Sequence, residues 1–259
     1  AAVIVSAVML KKTKPFAGEP APFVMELPAY HIPQVKTVLL HVWERLKSFF
    51  IKAGTILFVA CVVMWFLSTF GFENGAFGMV EDTNASLISY LGNAIAWIFI
   101  PLGFGEWQPV AASIAGFTAK EAIVSTMGVL ANVSEELSEE TDVVAAAITT
   151  WFPTAVAAFS FLTFNLLNSP CLAAIATMAQ QMQSRKMFWF AIIYQNVFAY
   201  CVSLIIYQVG GFAIGAVGFS IWTVIAFAVL AVLLFLLFRP DPYKETRRYT
   251  RSSVEAARG

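Results

Sequence analysis

Apolar residues run through this chain in stretches long enough to cross a lipid bilayer, and that feature limits the fold more than any motif does. Residues 110–130, 143–167, 187–208 and 212–238 are each comparable to the roughly 20 residues a spanning helix needs. Lipid offers no hydrogen-bond partner to the backbone, so runs of this kind fold as helices that satisfy their own N–H and C=O groups. Only 12% of the 259 residues are charged, where a soluble domain carries about 25%. The expected fold class is all-α, a polytopic membrane helix bundle.

Taken in order, residues 1–10 form an apolar run that stops at Lys11, Lys12 and Lys14. It is too short to span and reads as the end of a truncated transmembrane helix. Residues 11–52 are expected to form a cytoplasmic linker and interfacial helix. The stretch 15–33 is proline-rich, and 34–52 sets Lys36, Arg45 and Lys47 among Val38, Leu39, Val42 and Leu46 at helical spacing. The transmembrane domain then covers 53–238, and 239–259 is a basic cytoplasmic tail. Six spans are expected, over 53–70, 87–104, 110–130, 143–167, 187–208 and 212–238. Pro153 is expected to kink the fourth near its start, and Gly210-Gly211 to separate the last two. Residues 171–183 form a half-length helix. Basic residues other than Lys120 fall on the cytoplasmic side if 87–104 counts as a complete span, and this places the C-terminus in the cytoplasm. The acidic loop over 135–142 then lies outside, as a cation-concentrating mouth or simply as a solvated loop.

One place departs from hydrocarbon. In the stretch 159–171, Asn165, Asn168, Ser169, Pro170 and Cys171 fall where a membrane helix should be apolar. Proline removes a donor and clashes with the carbonyl four residues back, so the helix is expected to break before Pro170. Transporters place ion sites at such discontinuous helices, through unwound carbonyls and helix ends. Asn165, Asn168 and Cys171 lie at i, i+3 and i+6, one stripe of a helix. Amide oxygens suit hard and borderline cations, and a thiolate suits softer ones. The competing reading is a proline kink with interhelical amide hydrogen bonds and a small buried cysteine. Lys120 and Glu121 form a second anomaly, because intramembrane charges are costly and are functional by default. Glu121 shares a helical face with Ser125 and is a candidate ion ligand or proton relay. Lys120 is its partner, or a structural tie to a helix end. The alternative is a buried pair that pins two helices. Gln195 and Asn196 read as helix-packing polar groups. Cys61 reads as inert, and His31 and His41 carry no metal role.

Absences narrow the function. No phosphate-binding loop, GxGxxG, HExxH or GxSxG pattern is present, so no enzyme activity is expected of this chain. The three cysteines show no CxxC spacing, hence neither a disulfide framework nor a structural zinc site.

Several stretches together resemble the ferrous iron transport protein B family. They are Met25-Glu26-Leu27-Pro28-Ala29-Tyr30-His31-Ile32-Pro33, Trp43-Glu44-Arg45, Lys52-Ala53-Gly54-Thr55-Ile56, Pro101-Leu102-Gly103-Phe104-Gly105 with Trp107, the Gly116-Phe117 to Lys120-Glu121 segment, and Ser169-Pro170-Cys171. The resemblance implies a prokaryotic inner-membrane Fe(II) uptake permease, with this chain holding the second Gate-type repeat. Fe(II) is then substrate, and no cofactor is tightly bound. GTP and Mg enter only through an N-terminal G domain that this chain lacks, along with the first Gate-type repeat. Those missing parts, the lipid bilayer and a small cytosolic accessory protein are the implied partners, with no nucleic acid. Cys171 falls on the family's Pro-Cys position and Glu121 on its Lys-Glu position. Fe(II) is expected to pass a constriction from Asn168 to Cys171, with Asn165, Glu121 and Ser125 as neighbouring oxygen ligands. A nucleoside-type solute carrier and a membrane-anchored interaction module are the alternatives.

Overall fold

A computed structural model describes residues 2–13, 34–73, 76–80, 83–130, 149–182 and 184–240. The expected linker over 15–33, the acidic loop over 135–142 and most of the tail lie outside these residues. The chain divides into two units, Ala1–Leu39 with Ala228–Gly259, and Leu40–Phe227. In the first, helix α1 (Ala2–Lys11) is followed by Lys12, whose ammonium donates to the carbonyl of Leu237. A cation there meets the negative end of a helix dipole.

The second unit holds most of the rest. Helix α2 (Val35–Thr69) is one uninterrupted helix of 35 residues, about 52 Å long at 1.5 Å per residue. The expected interfacial helix and the first expected span are therefore continuous, with no proline between them to separate the two. A hairpin that the sequence did not announce follows: β1 (Phe70–Glu73) pairs antiparallel with β2 (Ala76–Met79), Phe72 opposite Phe77. Aromatic packing holds it, with Phe70 stacked on Phe66 at 4.6 Å between ring centroids. Gly71 lies against the backbone of Ala85, where a Cβ would come within 1.9 Å of the carbonyl oxygen. Only glycine fits.

Ser86 caps helix α3 (Leu87–Phe99), its hydroxyl accepting from the Ser89 amide. A 3₁₀ turn over Ile100–Leu102 and Gly103, at φ 89°, reverse the chain into helix α4 (Trp107–Thr118). The two helices are bent by 101°. Helix α5 (Ala122–Leu130) starts only after Ala119, whose φ of −151° and ψ of 130° are extended. Two straight spans over 87–104 and 110–130 were expected. Instead residues 87–118 form one bent pair, and the charged Lys120-Glu121 step separates it from α5. The orientation argument needed 87–104 as a complete span, and α3 has only 13 residues.

Helix α6 (Ala155–Leu167) begins behind an N-cap at Thr154, so Pro153 precedes this helix and does not kink it. It stops before Pro170, and helix α7 (Leu172–Gln181) resumes after Cys171. Helix α8 (Arg185–Ile205) passes through a π-helical turn, Ile206–Gly210, into α9 (Gly211–Ile214). The chain breaks at Gly215, not at Gly210-Gly211, and helix α10 (Ile221–Phe238) follows. Among the described residues three helical runs are long and apolar enough to cross a membrane: Ala155–Gln181, Arg185–Ile214 and Ile221–Phe238. The bent pair would make a fourth, against six expected. The all-α membrane bundle stands, with the hairpin as its exception.

The core gathers around the tip of the bent pair. Leu102 and Phe104 are fully buried, and the Phe104 ring meets Phe161 edge-on at 5.3 Å. Small residues let helices approach closely, which matters because lipid provides no hydrophobic drive between them. Ala157, Ser160, Ala199 and Ser203 are buried to the last few per cent. Ser160 and Ser203 each donate to the other's carbonyl at 3.1 Å, joining α6 to α8.

Candidate functional site at the broken helix

Helix α6 is inverted relative to a soluble amphipathic helix. Ala157, Ser160, Phe161, Phe164 and Asn165 form its buried stripe, whereas Phe159, Leu162 and Leu166 are exposed, as suits a lipid-facing side. The inner face thus delivers an amide, Asn165, to the end of the helix. Asn168 is the C-cap, its backbone N–H reaching Phe164 O at 2.8 Å while its own ψ of 175° turns the chain extended.

Pro170 has no N–H to give the carbonyl of Leu166 four residues back, and the extended turn leaves the carbonyl of Asn165 without its helical donor as well. Lys120 takes both. Its ammonium donates to Asn165 O at 2.9 Å and to Leu166 O at 3.3 Å. The non-helical step at Ala119 is what carries Lys120 there. Two side chains of α8 hold the extended segment from the other side. Gln195 donates to Asn168 O at 3.3 Å, and Asn196 donates to Ser169 Oγ and, at 2.9 Å, to Ile192 O. The break is held by side chains of two neighbouring elements as well as imposed by proline.

Two acceptors at this place have no partner among the described residues. Asn165 and Asn168 are 5% and 3% exposed, and the Oδ1 atom of each is buried without a hydrogen bond. An unmade hydrogen bond on a buried amide costs about 1–3 kcal/mol. The Asn165 amide nitrogen is satisfied, donating to Phe161 O at 3.0 Å, so its oxygen is the free end. Cys171 is half-buried at the N-cap of α7 with no capping hydrogen bond.

The sequence candidates separate here. Asn165, Asn168, Pro170 and Cys171 share the break, and Lys120 reaches it. Glu121 is exposed on the turn ahead of α5, so the single helical face expected for Glu121 and Ser125 does not exist. Ser125 is exposed too, its hydroxyl turned onto Ala122 O at 3.1 Å. Among the described residues Lys120 has no carboxylate within ion-pair distance, and no three His, Cys, Asp or Glu side chains gather as a metal cluster. Of the two roles expected for Lys120, the geometry has the tie to a helix end. Gln195 and Asn196, read as packing groups, do pack, but against the break itself. Ser169, which the sequence placed at the break without a role, is 1% exposed. Its place beside the proline was the only signal. The site therefore offers neutral amide and carbonyl oxygens, one sulfur and one fixed positive charge.

A family description, "Ferrous iron transport protein B C terminus", matches residues 1–45, and another, "Nucleoside recognition", matches residues 50–185, which include Lys120 and the whole break. A Staphylococcus aureus (strain MSSA476) protein named "Fe(2+) transporter FeoB" is 34% identical over 209 residues, covering 81% of this chain and 30% of that protein. Proteins of the same name from Methanocaldococcus jannaschii and Salmonella typhimurium are 34% identical over 200 residues and 28% over 283. They cover 75% and 91% of this chain, and 28% and 36% of their own lengths. The chain thus spans about a third of the length of these curated relatives. No solved structure matches it.

Proposed function

The chain belongs to the ferrous iron transport protein B family, and from that premise we propose that it forms the C-terminal transmembrane part of a GTP-dependent ferrous iron importer. In this reading Fe(II) crosses a prokaryotic cytoplasmic membrane through a polar and thiol-lined path at the broken helix. The carrying observation is the pair of buried amide oxygens without partners, Asn165 Oδ1 and Asn168 Oδ1. A cation would satisfy both. Fe(II) is borderline between hard and soft, so amide oxygens with the Cys171 sulfur suit it. Neutral donors hold an ion weakly enough for it to leave again. Glu121 and Ser125 supply exposed oxygens on the approach to this point. GTP acts through a domain outside the chain, and the basic tail faces the cytoplasm. A first Gate-type repeat and a small accessory protein complete the machine.

The test is anaerobic Fe(II) uptake into cells carrying the full-length protein at matched expression. Cys171→Ser and Asn168→Ala are each expected to lower uptake about tenfold, in line with the loss of one group around a metal. Glu121→Gln has a smaller effect. Unchanged uptake in the first two variants would sink the path. The match to a nucleoside-recognition description supports a second reading, a carrier of polar organic solutes. Nucleoside uptake that persists in Cys171→Ser, without iron uptake in the parent, would favour it. A membrane-anchored interaction module predicts that both substitutions are neutral.

A further inference from the structure

The carbonyl end of α6 holds a cation already, and that cation is covalently part of the chain. We propose that the Lys120 ammonium is a displaceable stand-in: it occupies the released carbonyls of Asn165 and Leu166 until a divalent metal ion takes their place, and so sets how tightly the metal is held. The inference rests on the ion path proposed above and gives that path a specificity-determining residue.

Three observations converge. Both acceptors of Lys120 are the backbone oxygens that the proline break frees, at 2.9 and 3.3 Å, and unwound carbonyls of this kind replace an ion's hydration shell in channels and transporters. The oxygen of Asn165's own side chain, unpartnered and buried, belongs to the same residue, and that of Asn168 lies one helical turn further along. Those side-chain oxygens remain unused while Lys120 is in place. An ammonium offers only three donors and no open coordination sphere, whereas a divalent ion takes six or so oxygens or sulfurs. Finally, no carboxylate among the described residues pairs with Lys120. A divalent ion entering beside it meets an uncompensated positive charge, and the two cannot share one set of neutral oxygens.

The backbone permits the exchange. Ala119 is extended, Lys120 and Glu121 form a turn, and Lys120 is only half-buried. Its side chain can withdraw without unwinding α4 or α5. A purely structural Lys120, serving as a helix C-terminal cap, would stabilise α6 through the helix dipole and leave metal affinity alone.

The two roles part in two measurements on the full-length protein in lipid nanodiscs. The first is the anaerobic Fe(II) dissociation constant. Lys120→Gln, which removes the competitor, is expected to bind Fe(II) about tenfold more tightly, a coupling of ordinary size, while Lys120→Arg, which keeps the charge, stays near the parent. The second is acetylation of Lys120 in the unmutated protein, followed by mass spectrometry with Fe(II), Mn(II) or Zn(II) added. Displacement predicts several-fold faster modification when metal binds. Labelling that is unchanged or slowed by every metal overturns the proposal, and so does an equal or weaker Fe(II) affinity in folded Lys120→Gln. Should that variant not fold, the labelling decides. Metal-accelerated labelling in a protein whose iron uptake ignores Cys171→Ser and Asn168→Ala would leave displacement standing and remove the iron path. Iron uptake sensitive to those variants, without accelerated labelling, would do the reverse.

Discussion

At the scale of single residues, buried polar side chains hold this protein together by reaching main-chain carbonyls that irregular backbone has released. Gln208, in the π-helical turn, is 3% exposed. It donates to Pro101 O at 2.8 Å and accepts from the Thr223 hydroxyl at 3.1 Å, so one amide joins the turn after α3, the end of α8 and the start of α10. Gln208→Leu would leave the buried Pro101 carbonyl without its donor and take one partner from the Thr223 hydroxyl, and is expected to destabilise by about 2 kcal/mol. Thermal unfolding in detergent reads this, and a melting point equal to the parent's would show that water replaces the amide. From sequence Gln208 looked like the polar end of an apolar run. Nothing local distinguishes a terminal glutamine from a buried hub, because its partners lie 107 and 15 residues away.

Among elements, the break between α6 and α7 is the informative one. Its existence was legible, since Pro170 cannot continue a helix. What keeps it open was not. Gln195, Asn196 and Lys120 each bond to the released segment, so proline is sufficient but not alone. Pro170→Ala is therefore expected to leave the break open, with the new backbone amide at that position exchanging readily in hydrogen–deuterium exchange. Adding Gln195→Ala and Asn196→Ala to it should let the helix close and protect that amide. Protection in the single variant would mean that proline carries the break by itself. The Lys120-Glu121 step shows the reverse case. Read as part of one helix, it is a junction, because an ammonium satisfied by two carbonyls of α6 outweighs a few helical bonds that its own segment gives up.

For the second unit as a whole, the bent pair α3–α4 decides how the chain crosses the membrane. Helices of 13 and 12 residues reach about 20 Å and 18 Å, short of the roughly 30 Å hydrocarbon layer. The turn between them is buried core: Leu102 and Phe104 are fully covered, and a Cβ on Gly103 would strike the Tyr207 ring at 2.2 Å. A loop joining two complete spans would lie at the surface. The pair is expected to enter and leave on one face of the membrane. Cysteines introduced by Asn84→Cys and Glu121→Cys should then react with an impermeant maleimide from the same side. Labelling from opposite sides would make the pair a single broken span.

What the sequence determined by itself was whatever hydropathy and backbone chemistry dictate locally: helices in lipid, the stop before Pro170, the apolar runs that became α6, α8 and α10, and the amides and thiol gathered at 165–171. Those follow from the absence of backbone partners in lipid and from proline's missing donor. The tertiary structure decided the rest. It bent one expected span and the start of the next by 101° about Gly103 and set Glu121 apart from the break. It brought Lys120 there instead, across 45 residues of sequence. Each outcome turns on which side chain satisfies which distant carbonyl, and a pairing of that kind leaves no periodicity in the chain for a sequence to display.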